Sequence, residues 1–107
     1  MTQIDGKNYH NALTYIANLI YNAHAIYNYN ITPIKNTSDP DKVLYIAKCM
    51  DRIQELIHIS LSCYITMCHL IGATYHSNIY DFLKDKIFNS QSIKINDIAK
   101  EIDSYLR

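Results

Sequence analysis

The chain has 107 residues, 19% of them charged, and its formal net charge is zero with the five His neutral. That length fits one domain. The balanced charge excludes a general electrostatic attraction to DNA or to an anionic membrane. The three Cys, an odd number, and a polar first stretch from Met1 to Lys7 are read as reduced thiols in a cytoplasmic protein without a secretory signal.

The first element is expected at about 8–30. Tyr9, Ala12, Leu13, Ile16, Leu19, Ile20, Ala23 and Tyr27 fall three and four apart, which places them on one side of a helix. From Asn8 to Ile34 there is no Asp, Glu, Lys or Arg. A segment from Asn28 to Asp39, with Pro33 and the cluster "KNTSDP", reads as a loop. Asp39 is placed to cap the next helix, with Pro40 in its first turn.

The second helix is expected at about 40–72, roughly 45 Å long at 1.5 Å per residue. Its core stripe is Val43, Ile46, Ala47, Met50, Ile53, Ile57, Leu61, Tyr64, Cys68 and Ile71. Asp41, Lys48, Asp51, Arg52 and Glu55 give the first half a solvated face. In the second half a further apolar row, Leu56, Cys63, Met67 and Leu70, predicts enclosure on most sides and a homo-oligomer interface. The uncharged run Leu56 to Ala73 approaches membrane-span length. His58, Ser60, Ser62, Thr66 and His69 interrupt it, so a bundle helix is expected instead.

Two short helices complete the chain. Ser77 or Asn78 is the expected cap for the first, which carries Ile79, Phe82, Leu83 and Ile87. After a break at "NSQS", Ile95, Ile98, Ala99, Ile102 and Leu106 mark the last, with Ser92 or Asn96 as its cap. The fold class is therefore all-α: a small bundle dominated by a long antiparallel hairpin.

Opposite the core stripe of the first helix lie Asn11, Tyr15, Asn18, Asn22, Ala25 and Tyr29, spaced four, three, four, three and four apart in a nearly straight seam. Asn is a mediocre helix former, so propensity does not explain it. Two readings stand. One is an ordinary solvated face shaped by Asn-rich coding. The other is a surface covered by a second subunit, a protein target or a small polar ligand, since interface centres are poor in charge and rich in Tyr.

The remaining chemistry is sparse. With Gly6 and Gly72 alone there is no Gly-rich phosphate loop. His58 and His69 lie about 16 Å apart along the axis, so no metal site is expected, and no cofactor. Arg52 to His58, "RIQELIH", resembles the R-x4-6-H signature of HEPN ribonucleases. That resemblance implies a composite site of two protomers, with Arg52 on the phosphate and His58 in general acid–base catalysis. The reading favoured over this enzyme is a non-enzymatic, homo-oligomeric binding protein that inhibits or sequesters a target. It would be of the kind that phages, viruses and mobile elements encode, and would hold a protein or a signalling nucleotide through Asn11, Tyr15, Asn18, Asn22 and Tyr29.

Overall fold

The computed structural model describes residues 5–107 and is all-α. Helix α1, Gly6–Ala25, begins where the Asp5 carboxylate accepts from the Asn8 backbone N–H at 2.9 Å and from the Asn8 side chain at 3.0 Å. This cap satisfies a donor that the first turn would otherwise leave unpaired. Leu13, Ile16, Ile20 and Ala23 are buried, as their spacing requires, and Ala17 and His24 join them.

The helical path does not stop near residue 30. It widens into a π segment at Ile26–Ile31 and tightens into a 3-10 turn at Thr32–Ile34, leaving only 35–39 as loop. The expected loop from Asn28 is corrected accordingly. The wide turn shifts the register, so that Ile31 enters the core while Tyr29 stays 80% exposed. Thr32 supports it through Oγ1, which donates to the Tyr27 carbonyl at 3.0 Å.

Helix α2, Pro40–Ile71, is capped by the Asp39 carboxylate, which accepts from the Asp41 N–H at 2.9 Å. It ends at Gly72, whose φ of 71° a side chain would resist; its N–H returns to the Cys68 carbonyl. Ile53, Leu56, Ile57, Ser60, Tyr64, Met67 and Cys68 face inward. At its start the stripe outruns the rest of the bundle, leaving Val43 about half exposed. That overhang accounts for an elongated molecule, 54 × 21 × 21 Å.

Helices α3, Ile79–Asn89, and α4, Ile95–Ser104, pack chiefly on α1, which is thus the central helix. Neither receives a side-chain cap. Asn78 and Lys94 hold the cap positions, in place of the Ser77, Ser92 and Asn96 alternatives. Because α3 and α4 lean on α1, α2 keeps an open side at His58, Ser62, Ile65, Thr66 and His69. Its second half is less enclosed than its composition suggests.

Three polar contacts tie the ends together. Tyr64 Oη donates to the Tyr105 carbonyl at 2.9 Å and accepts from the His76 N–H at 3.2 Å. Tyr9 Oη donates to Asp103, whose other oxygen takes Arg107. His24 Nε2 lies 2.8 Å from the Ser90 carbonyl, so that nitrogen carries the proton. Tyr27 meets Phe88 edge-on at 4.9 Å. Among the described residues no helix is long and apolar enough to cross a membrane.

Candidate functional site

Helix α1 is flanked by α2 on one side and by α4 and the α3–α4 connection on the other, and the remaining face is open. The Asn/Tyr seam occupies that face. Asn11, Asn18 and Asn22 are exposed, Tyr15 is 50% exposed and Tyr29 80%. Asn18 donates only to the Thr14 carbonyl one turn back, at 3.0 Å, so its amide oxygen remains available.

Between the seam and α2 runs a groove of about 370 Å³ lined by Asn22, Ala25, Ile26, Tyr29, Asn30, Arg52 and Leu56. The structure thereby joins residues that the sequence leaves separate: Arg52 of α2 stands beside Asn22 of α1 and Tyr29 and Asn30 of the π segment. Arg52 pairs with Glu55 at 3.0 Å, both side chains more than half exposed. Such a pair holds the guanidinium only weakly and leaves most of its donors free. Asn30 was not anticipated; the π segment brings it to the groove, and a sequence pattern of regular α spacing gives no signal for it.

The apolar row of α2 divides. Leu56 and Met67, expected at a subunit interface, are each 2% exposed within the single chain, so its own core already buries them. Cys63 and Leu70 remain half-buried, as does Ile59 nearby. These three, with the more exposed Ile65, are apolar side chains of this half of α2 that a neighbour could still cover. Burial pushes the Cys63 thiol above its ordinary value, so it stands as a protonated, weakly nucleophilic group.

Arg52 and His58 are both exposed, but six residues at about 100° each set them roughly 120° apart on α2. One chain does not bring them together. Cys49, Cys63 and Cys68 are free thiols. A larger cleft, about 590 Å³, lies elsewhere, between α1 and α4, lined by Tyr9, His10, Leu13, Asn96, Ala99, Lys100, Asp103 and Arg107. Its carboxylate is committed to structure, since both Asp103 oxygens are occupied.

Comparison with protein-family models, with curated proteins and with solved structures finds no match.

Proposed function

We propose that the chain is a non-enzymatic binding protein that works as a homo-oligomer and sequesters its target. The observation that carries this reading is the groove in which Tyr29, Asn22 and Asn30 converge with the Arg52 guanidinium beside an uncharged, uncovered helix face. A volume of about 370 Å³ suits a small molecule. Its chemistry favours one with an aromatic ring, polar edges and a negative charge. Tyr29 offers a stacking face, the two amides offer donors and acceptors, and Arg52 takes the anion in place of Glu55. Mononucleotides and cyclic or linear dinucleotides are the ligand class with those features.

A thermal-shift panel of such nucleotides tests it. A binder should raise the melting temperature with concentration, as mass action requires. Tyr29→Ala and Arg52→Gln, both on exposed side chains, should abolish the shift without lowering the unliganded melting temperature. No shift across the panel would contradict the ligand reading. Capture of the chain by a protein target through Tyr15 and Asn18 would then be the form of sequestration left to test.

A further inference from the structure

The hollow surface around the π segment does not end with the Tyr29–Arg52 groove. Between that segment and the end of α3 lies a second groove of about 530 Å³, which takes in Tyr29 again and adds Tyr27, Asn28, Lys35, Phe88 and Asn89. A smaller recess of about 90 Å³ joins the two. It shares Ala25 and Tyr29 with the first groove, and Asn28, Tyr29 and Gln91 with the second. Tyr29, standing well out into solvent, is common to all three.

The two grooves carry the same set of groups. The first has Tyr29, the amides of Asn22 and Asn30, apolar contact from Ile26 and Leu56, and one Lys or Arg cation, Arg52. The second has Tyr27 and Tyr29, the amides of Asn28, Asn89 and Gln91, the ring of Phe88, and one such cation, Lys35. Neither lining includes a carboxylate. The Asn28 amide nitrogen lies 3.3 Å from the Gln91 carbonyl and that of Asn89 donates to Asp85 at 3.0 Å, so in both the oxygen is left to accept. Lys35 is exposed and makes no ion pair among the described residues. The π segment brings the grooves together. The Thr32 N–H reaches the Tyr27 carbonyl five residues back, and within this wide turn Asn28 lines the second groove, Asn30 the first and Tyr29 both. Turns of this kind are rare and frequently sit at functional sites.

We infer that the ligand is a dinucleotide, cyclic or linear, with one base in each groove and its two phosphates taken by Arg52 and Lys35. The inference rests on the nucleotide reading above and narrows it. Two like grooves that meet at one exposed ring suit a molecule with two like halves. Each base finds a tyrosine to stack on and amides for its polar edge. Each cation neutralises one phosphate, with no carboxylate in the lining to oppose it.

A longer single strand would need a positively charged track leading beyond the grooves. The first helix and the π segment offer none, since there is no Lys or Arg from Asn8 to Ile34. One half of a dinucleotide bound beside Arg52 presents the other half to the Lys35 groove at high effective concentration. The second groove therefore raises affinity as an intramolecular contact.

Calorimetric titration of the full chain tests this, with 5′-phosphorylated linear dinucleotides, cyclic dinucleotides and their component mononucleotides as probes. A dinucleotide of one of the two kinds should bind one per chain, at least about tenfold tighter than its mononucleotide. The linear and cyclic arms show which backbone fits. Lys35→Gln should remove that gain and leave mononucleotide affinity unchanged, whereas Lys35→Arg, which keeps the charge, should retain most of it. Because Lys35 is exposed, both variants should melt as wild type does. Dinucleotides that bind no tighter than mononucleotides, that bind two per chain, or whose gain survives Lys35→Gln would overturn the inference and leave the Arg52 groove standing. Binding of no probe would overturn the groove and the inference together.

Discussion

At the scale of single residues, two tyrosines hold the far ends of the chain to its middle. Tyr64 is fully buried, and its hydroxyl bridges the Tyr105 carbonyl and the His76 N–H. Tyr64→Phe leaves both groups short of a partner and should cost about 1–3 kcal/mol in a denaturant titration. Burial, then the side-chain contact with Cys68, pushes the Tyr64 hydroxyl up to about 12. Burial, then the bond to Asp103, does the same to Tyr9. An unfolded Tyr ionises near 10, so these groups contribute stability that is whole below that pH and is lost as pH climbs from 10 to 12. Melting temperatures followed over that window should fall, and Tyr64→Phe should make the fall shallower. Equal slopes for variant and wild type would remove Tyr64 from the account.

Asp103 behaves in the opposite sense. The Tyr9 bond, opposed by burial and aided by Arg107, holds its carboxyl below the ordinary 3.8. Its contribution is present above that value and is lost as pH falls below it. Asp103→Asn should therefore lower stability at neutral pH and flatten the acid limb of a pH–stability curve.

Among the elements, the hairpin was legible because its signals are local. Asp39 with Pro40 marks the start of α2 and Gly72 its end, and each acts in the structure as its chemistry dictates. Replacing Gly72 by Ala forces a Cβ into the left-handed region and should cost about 1 kcal/mol or somewhat more in thermal unfolding. A neutral result would mean that the cap relaxes. The π segment was not legible: Ile26, Tyr27 and Ile31 fit an ordinary helix end, and only packing against Phe88 and α2 selects the wider turn. His24 was missed for a related reason. It sits at a core position of the α1 stripe, but the partner that makes burial tolerable, the Ser90 carbonyl, lies far along the sequence. Asn78, one of the two expected caps, holds the α3 cap position without a side-chain bond, and Lys94 holds that of α4 where Ser92 or Asn96 was expected; backbone bonds such as Ile79 N–H to the His76 carbonyl serve where side chains were expected. The seam itself was readable from spacing alone. Its convergence with Arg52 was not, since that depends on the offset between α1 and α2.

For the whole molecule, the question is what an uncharged helix face gains by remaining open. Leu56 and Met67 show that the chain spends most of its apolar residues on its own core. Among the described residues, what remains outside includes a Tyr/Asn ridge on α1, a half-buried row and the exposed Ile65 on α2, and the exposed Val43, Leu44 and Tyr45 at the start of α2. A homo-oligomer built on remnants of that kind is of modest affinity, populated at micromolar concentrations and above rather than at any dilution. Their lack of charge makes association only weakly dependent on salt, because few charges are screened. Sedimentation at low and high ionic strength should give nearly the same oligomer fraction, and strong dissociation by salt would place the interface elsewhere.

The most direct measurement is native mass spectrometry of the full chain, sprayed gently at graded concentrations. The expected spectrum shows an oligomer of the 12.4 kDa subunit giving way to monomer on dilution, with up to one ligand mass per subunit when a binding dinucleotide is present. A monomer at every concentration, taking up nothing, would contradict both the oligomer and the groove.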